Sequence, residues 1–188
     1  MNIDEPLKNL GPINYRPLRD AILNLDDDAW TENPVRQETF DVHKKTHSII
    51  LIFCDGWPEI KVSKESGWEE LSETALPIMK DVIDRFYKPG GTILRAMAAK
   101  LLAGERITPH TDKHPSFHVA HRIHVPITTN DHVRFTIAGR PYQFELGHVY
   151  EVNNQKTHSV MNRGKEDRIT FIFDYMPPDI RSKAKTLS

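Results

Sequence analysis

The chain has little cysteine and no long apolar run. Cys54 is the single cysteine among 188 residues, which excludes an intrachain disulfide framework of the kind that small secreted proteins use. The first twenty residues contain no apolar signal core, and no stretch approaches the roughly 20 apolar residues of a membrane-spanning helix. We therefore expect a cytoplasmic protein that has no membrane partner.

The sequence also lacks an excess of charge of either sign. Lys and Arg number 25 and Asp and Glu number 26, so the net charge is -1. No basic run and no interleaving of basic and aromatic residues marks a nucleic-acid surface, and we expect no nucleic-acid partner. Internal repeats and low-complexity tracts are absent as well. The length suits one domain, residues 1–188, with a sizeable core; the oligomeric state stays open.

The N-terminal portion, residues 1–89, reads as helices around one apolar strand. A short helix is predicted over residues 17–25, a strand over residues 48–54 and a second helix over residues 72–87. In the second helix Leu76, Met79, Ile83 and Phe86 recur at helical spacing, which predicts a core-facing stripe. Pro77 is compatible with this helix only within its first turn.

After residue 91 the pattern changes to short strands separated by Gly, Pro and Asn turns, which is typical of a jelly roll. The predicted strands cover residues 92–102, 107–112, 122–127, 133–137, 142–144 and 148–152, followed by a final hairpin. We expect a mainly β (α+β) fold, a double-stranded β-helix (jelly-roll, cupin-like) over residues 90–177, with N-terminal flanking helices and a flexible tail at 178–188.

His110 and Asp112 form a candidate metal-binding pair. Residues at i and i+2 of an extended strand share a face, so both side chains can reach one ion while Thr111 points away. The alternative is a hydrogen-bonded pair at the surface. With His158, the pair completes two imidazoles and one carboxylate, the ligand set of a facial triad that is typical of non-haem iron oxygenases.

Arg168 lies in the second strand of a predicted hairpin, and His158 lies in the first strand. Residues 162–164, Asn-Arg-Gly, have the form of a three-residue hairpin loop, which places position 158 opposite position 168. A guanidinium beside a metal centre requires an anion between the two cations. A dicarboxylic cosubstrate supplies such an anion, and the planar fork of arginine suits its carboxylate.

The segment 122–127 alternates between polar and apolar residues. Arg122, His124 and Pro126 share one face and the intervening Ile and Val residues share the other, so we expect the apolar face inside the sandwich and the polar face toward a cavity. The alternatives are that Arg122 forms an ordinary ion pair and that His124 is a satisfied core histidine.

Three further histidines, His114, His118 and His121, lie between the two motifs. Their spacing fits no standard zinc pattern, and the single cysteine removes thiolate sites. We interpret them as loop residues at the rim of the pocket, with substrate contact as the alternative.

As an ordered set, these residues resemble the iron(II)/2-oxoglutarate-dependent dioxygenases, in the aspartyl/asparaginyl β-hydroxylase-like branch. The matching residues are Gly104, His110 and Asp112, then Arg122, His124 and Pro126, then Gly147, Asn153, His158 and Asn162, and finally Arg168 with 171–174. The match covers residues 90–177.

The resemblance implies a double-stranded β-helix with Fe(II), 2-oxoglutarate and O2 at its mouth. It implies that His110, Asp112 and His158 hold the metal and that Arg168 pairs with the C5 carboxylate of 2-oxoglutarate. His124 is implied as a contact of the C1 carboxylate, and Arg122 as a contact of the cosubstrate or of a substrate carboxylate.

Two positions depart from the animal members of the family. Those members lack the acidic metal ligand, whereas Asp112 is present here, so the chain resembles a bacterial or phage-type member with a complete triad. A serine that helps to hold the cosubstrate in the animal enzymes is replaced by Ala99.

The resemblance further implies hydroxylation of an unactivated carbon, with succinate and carbon dioxide as products. The expected substrate is a free amino acid or a peptidyl Asp or Asn residue, and the sequence does not choose between them. Two alternatives remain: a non-catalytic jelly-roll module with a structural metal, and a cupin-type metal-dependent isomerase or hydrolase.

Overall fold

The computed structural model describes residues 1–32 and 46–180. The strands within these ranges are β1 (Leu7–Pro12), β2 (Thr46–Asp55), β3 (Lys61–Lys64), β4 (Thr92–Leu101), β5 (Arg106–His110), β6 (His121–Thr128), β7 (Val133–Ile137), β8 (Arg140–Tyr142), β9 (His148–Val152), β10 (His158–Asn162) and β11 (Arg168–Met176). The helices are α1 (Arg16–Leu23), α2 (Gly67–Phe86) and α3 (Ser116–Val119), with a short 3-10 helix over Asp27–Trp30. Most of the predicted flexible tail, residues 181–188, falls outside the described residues.

The strands form two antiparallel sheets that face each other. The large sheet has the order β1-β9-β6-β11-β4-β2-β3, and the small sheet has the order β5-β10-β7-β8. Strands that are neighbours in space are mostly distant in the chain, as in a jelly roll, where the chain alternates between two sheets. The predicted mainly β jelly-roll fold with N-terminal helices is confirmed.

Helices α1 and α2 cover the outer face of the large sheet. The main apolar cluster combines helix residues such as Leu18 and Leu71 with Ile123, Val125 and Ile127 of β6. The alternation predicted for β6 is therefore correct, but the expectation that its apolar side packs between the sheets is wrong. That side packs against helices, and the polar side with Arg122 and His124 faces the small sheet.

Helix α2 begins five residues earlier than predicted, so Pro77 lies in its interior and not in its first turn. The buried stripe of α2 is also displaced from the predicted one. Leu76 and Phe86 are exposed, whereas the buried apolar side chains are Leu71, Ala75, Ile78, Met79 and Val82. Pro77 cannot donate a backbone hydrogen bond, which lowers the stability of the helix. Burial of this apolar stripe offsets that loss.

The predicted hairpin between β10 and β11 is wrong, because the two strands belong to different sheets. β10 pairs with β5 and β7, and β11 pairs with β4 and β6. Asn162 lies where the chain passes from the small sheet to the large one. Its buried side chain donates to the carbonyl oxygens of Leu101, Leu102 and Glu166, and its Oδ1 accepts from the amide of Gly164. These bonds stabilise a connection between sheets in place of a tight turn.

Candidate metal centre and its cavity

His110 and His158 lie directly opposite each other on neighbouring strands of the small sheet. β5 ends at His110, β10 begins at His158, and the two residues are paired in the register of the strands. Cross-strand partners project to the same face. Their ring centroids are accordingly 4.3 Å apart, at the edge of the space between the two sheets.

Both imidazoles are held in the orientation that a metal requires. Nδ1 of His110 lies 2.8 Å from the carbonyl oxygen of Thr108, and Nδ1 of His158 lies 3.0 Å from that of Lys156. A carbonyl only accepts, so each Nδ1 carries the proton and donates it. This tautomer leaves the Nε2 lone pair of each ring available to a cation.

Asp112 joins the pair from the loop after β5. The strand ends at His110, two residues before its predicted end, and the amide of Asp112 donates to the carbonyl oxygen of Asn154. The carboxylate is buried, with 8% of the side chain exposed, and its Oδ1 lies 3.9 Å from Nε2 of His110. The ligand atoms of His110, Asp112 and His158 all lie within 4.8 Å of one another.

The burial of His158 favours the form of the ring that binds metals. Loss of hydration lowers the pKa of His158 below its ordinary value, and this effect outweighs the neighbouring Asp112 carboxylate, which alone would raise the pKa. The neutral imidazole is therefore stabilised. A neutral histidine, unlike its protonated form, can coordinate a cation.

A cavity of about 40 Å³ between the sheets connects this cluster to Arg168. Its wall contains apolar side chains of both sheets, including Phe135 and Ile172, together with Ala99. Arg168 and His158 both line it, although they lie on different sheets. The cavity therefore brings the predicted cosubstrate arginine and the histidine pair together without the predicted hairpin.

Arg168 is a buried cation, and none of the described residues supplies a counterion. Its residue is 6% exposed, and its guanidinium lies 5.8 Å from the ring centroid of Phe135. Among residues 1–32 and 46–180 no carboxylate pairs with it, and Nη2 has no hydrogen-bond partner there. Burial lowers the pKa of Arg168 to about 10. The site is therefore complementary to an anion that enters the cavity.

His124 lies in the same cavity wall, against a stacked pair of aromatic rings. Its ring centroid is 6.0 Å from those of Phe135 and Phe144, with edge-to-face geometry in both cases. The residue is buried. The ring lines the same cavity as Arg168 and His158, and its role as a cosubstrate contact stays a prediction.

Arg122 contacts two carboxylates. Its Nε and Nη2 donate to the two oxygens of Asp174 at 2.8 Å each, and Nη1 lies 2.8 Å from Oδ2 of Asp112. This is the ion-pair alternative raised by the sequence. Burial alone would lower the pKa of Arg122, but the two carboxylates outweigh it and raise the pKa above its ordinary value. Its role as a cosubstrate or substrate contact stays a prediction.

Sequence reasoning missed Asp174 and Arg95, which support Arg122. Asp174 lies opposite both Arg122 of β6 and Arg95 of β4, and Nη1 of Arg95 is 3.6 Å from its Oδ2. The available signal was a charged residue flanked by apolar or aromatic residues within a predicted strand in each case. Such a residue requires a partner, but the partner becomes visible only when the strand order is known.

The three intervening histidines do not form a second metal cluster within the described part of the chain. His114 bonds through Nδ1 to the hydroxyl of Ser116, and His118 lies in α3. His121 is a strand residue and not a loop residue, and its Nδ1 is 2.5 Å from Oε1 of Glu151. For His121 the predicted position in a rim loop is wrong.

No helix among residues 1–32 and 46–180 is both long enough and apolar enough to cross a bilayer.

Comparison with known proteins supports the same assignment. The family model described as Aspartyl/Asparaginyl beta-hydroxylase matches residues 14–178. A search of curated protein sequences finds no match to this chain.

Solved structures with a similar fold include three oxygenases. A prolyl-4-hydroxylase of Pseudomonas putida is 14% identical with a TM-score of 0.55, covering 93% of this chain and 94% of that one. The viral collagen prolyl hydroxylase of Paramecium Bursaria Chlorella virus-1, in complex with 2-oxoglutarate, is 8% identical with a TM-score of 0.53, covering 93% and 97%. An oxidoreductase of the 2OG-Fe(II) oxygenase family from Burkholderia pseudomallei is 16% identical with a TM-score of 0.54, covering 70% of this chain.

The match spans 66% of the length of the Burkholderia protein. At these identities the structural likeness shows the fold alone, whereas the family model extends over most of the sequence and includes every residue of the histidine and carboxylate cluster and Arg168. The chain belongs to the aspartyl/asparaginyl β-hydroxylase family of iron(II)- and 2-oxoglutarate-dependent oxygenases.

Proposed function

We propose that the chain hydroxylates an unactivated carbon of an amino acid, free or as a peptidyl Asp or Asn residue, and forms succinate and carbon dioxide from 2-oxoglutarate. His110, Asp112 and His158 hold Fe(II), and Arg168 binds the C5 carboxylate of the cosubstrate. His124 contacts its C1 carboxylate. The bound iron and cosubstrate supply the oxidising chemistry; the protein supplies geometry, charge and exclusion of water.

The observation that carries the proposal is the pairing of the cluster with an unneutralised cation in one cavity. Two imidazoles and one carboxylate provide three ligands on one side of an ion, and within the described residues the cluster has no fourth member. Structural zinc sites have four protein ligands, so an open set favours small-molecule ligands of the metal over a closed structural site. A cupin-type isomerase or hydrolase binds no dicarboxylic cosubstrate and therefore does not require the buried guanidinium of Arg168.

The walls of the cavity suit a keto-diacid that lies between the two groups. The cavity is lined by Arg168, by the histidine pair and by apolar side chains such as Ile172 and Val160. A short dicarboxylate with an apolar middle matches this combination of a cation, metal ligands and apolar wall. The small residue Ala99 is part of the same wall.

The experiment is an assay of succinate formation with Fe(II) and 2-oxoglutarate, in the presence of pools of free amino acids and of Asp- or Asn-containing peptides. Mass spectrometry of each pool identifies a compound that gains one oxygen. A gain among free amino acids or among peptides selects the substrate class. The proposal is contradicted if the iron-loaded protein forms no succinate above the level of the His158→Ala variant with any pool.

A further inference from the structure

The two oxygens of Asp112 have different environments. Oδ1 faces the histidine pair, 3.9 Å from Nε2 of His110. Oδ2 lies 2.8 Å from Nη1 of Arg122. This contact is an ion pair that lacks the alignment of a hydrogen bond, and it directs Oδ2 toward Arg122 while Oδ1 faces the place of a cation.

Arg122 is itself fixed in place. Its other two donors form a bidentate pair with Asp174, at 2.8 Å each, which is the strongest geometry for these groups. Asp174 is 1% exposed and lies opposite Arg122 in the register of β6 and β11. Rotation of the Arg122 guanidinium away from Asp112 would break all of these contacts at once.

A second arginine fixes Asp174 from the other side. Arg95 lies opposite Asp174 on β4, and its Nη1 donates to the hydroxyl of Ser116 at 2.7 Å. The ring of Phe117 lies between the two guanidiniums, 4.5 Å from that of Arg95 and 4.4 Å from that of Arg122. Three adjacent strands thus present an alternating row, Arg95, Asp174 and Arg122, that ends at the carboxylate of Asp112.

We infer that Arg122 is a positioning residue for the metal ligand Asp112, and that Asp174 is the anchor that holds Arg122 in this role. The inference rests on the proposed function only in taking Asp112 as a metal ligand. It gives Arg122 a different role from a contact of 2-oxoglutarate or substrate: the guanidinium acts before either molecule binds, by presenting one oxygen of Asp112 to the ion.

The test uses a pair of substitutions that preserves net charge. Removal of Arg122 alone would leave Asp174 buried with a weaker partner and would also remove a positive charge near the ion. The variant Arg122→Met/Asp174→Asn removes one charge of each sign, so the change in long-range electrostatics is small and the loss of orientation dominates. Arg85→Met/Asp81→Asn, which removes an ion pair on the exposed side of α2, is the matched control.

The measurement is calorimetric titration of the metal-free protein with Mn²⁺, without 2-oxoglutarate. We expect Arg122→Met/Asp174→Asn to weaken Mn²⁺ binding by about 10–100-fold, as is typical when a group that orients a metal ligand is lost. The control pair keeps the wild-type affinity.

Circular dichroism at the temperature of the titration establishes that each variant is folded. If the paired variant does not fold, Arg122→Lys replaces it: lysine keeps the charge but cannot bridge two carboxylates as a fork, and an intermediate loss of Mn²⁺ affinity is expected. A folded variant with wild-type Mn²⁺ affinity and weaker binding of 2-oxoglutarate overturns the inference and makes Arg122 a cosubstrate contact. A folded variant that only melts earlier overturns it as well.

The titration is independent of turnover. A wild-type protein that binds Mn²⁺ through Asp112, shown by loss of binding in Asp112→Ala, yet forms no succinate contradicts the proposed function and leaves the role of Arg122 testable. Unchanged Mn²⁺ binding in Asp112→Ala removes the premise and overturns the inference.

Discussion

His158 and Arg168 belong to opposite sheets of the jelly roll, and their side chains line one cavity. The five residues between β10 and β11 carry the chain from the small sheet to the large one, so the histidine and the arginine approach the cavity from facing walls. A ligand between them is therefore enclosed from two sides. This arrangement leads to predictions about stability and about binding.

Replacement of Arg168 should raise the stability of the protein and weaken its binding of 2-oxoglutarate. Its pKa falls from an ordinary value of 12.5 to about 10, which corresponds to roughly 3 kcal/mol of unfavourable charge burial. We expect Arg168→Met to raise the free energy of unfolding of the protein without cosubstrate by about 1–3 kcal/mol, because a buried charge without a partner is removed. Denaturant titration measures this change.

The same variant should lose the stabilisation that 2-oxoglutarate gives. With Mn²⁺ present throughout, addition of 2-oxoglutarate raises the melting temperature of the wild type further by mass action, and this further rise should be absent in Arg168→Met at the same 2-oxoglutarate concentration. Arg134→Met, at an exposed position of β7, is the control and should behave as the wild type in both measurements. A destabilised Arg168→Met, or one that responds to the same 2-oxoglutarate concentrations as the wild type, contradicts the role of Arg168.

Loss of a triad member should abolish turnover and leave the fold intact. Asp112→Ala and His158→Ala each remove one of three ligands, so we expect no iron-dependent formation of succinate. Metal affinity should fall at least about tenfold, because loss of a group that only orients a ligand already lowers it by that much. Succinate assays and metal titrations check both. Full turnover in these variants would remove the assignment of the site.

The alkaline stability of the protein should depend on Tyr87. Burial, with the charge of Glu151 and the hydrogen bond to its Oε2, raises the pKa of Tyr87 above its ordinary value of 10.0. The folded state then keeps the phenol proton where the unfolded chain has lost it, so this stabilisation is complete below pH 10 and is lost as the pH rises further.

Tyr87→Phe should therefore flatten the alkaline limb of the stability curve. At pH 7 we expect a loss of about 1 kcal/mol, because Glu151 loses one donor while it retains His121. Denaturant titrations at pH 7 and at several values above pH 10 give the slope of the free energy of unfolding against pH for the wild type and for the variant. Equal slopes for wild type and variant would show that another group dominates the alkaline limb.

Helix α2 should be more stable without its internal proline. Pro77 is exposed, lies in the helix interior and cannot donate a backbone hydrogen bond, so we expect Pro77→Ala to raise the free energy of unfolding by about 1 kcal/mol.

The buried stripe of α2 gives a matched pair of substitutions. Leu76→Ala, at an exposed position, should leave the free energy of unfolding nearly unchanged, and Met79→Ala, at a buried position, should lower it by about 2–5 kcal/mol. A large loss in Leu76→Ala would contradict the orientation of the helix.

The features that the sequence predicts well are those that depend on local geometry. Alternation identifies β6 and places Arg122 and His124 on one face, and the identity of β7 and β9 follows from short apolar runs between turn residues. The His-x-Asp spacing is local too, so the joint approach of His110 and Asp112 needs little knowledge of the rest of the fold.

The features that the sequence does not predict depend on which strands are neighbours. The loop after Asn162 resembles a hairpin turn, but the Asn162 side chain donates to the distant carbonyl groups of Leu101 and Leu102 and so favours a connection to the other sheet. The row of Arg95, Asp174 and Arg122 likewise arises from strands far apart in sequence. Local pattern carries no information about such pairing, because register across a sheet is fixed by tertiary contacts.

The most direct test of the account is anaerobic absorption spectroscopy of the protein with Fe(II) and 2-oxoglutarate. We expect a visible metal-to-ligand charge-transfer band in the wild type, no band in His158→Ala, and a band in Arg168→Met only at much higher 2-oxoglutarate concentration. A structural metal site or a cupin-type hydrolase gives no band when 2-oxoglutarate is added. Absence of the band in iron-loaded wild-type protein would contradict the central claim that this triad and Arg168 together bind iron and 2-oxoglutarate.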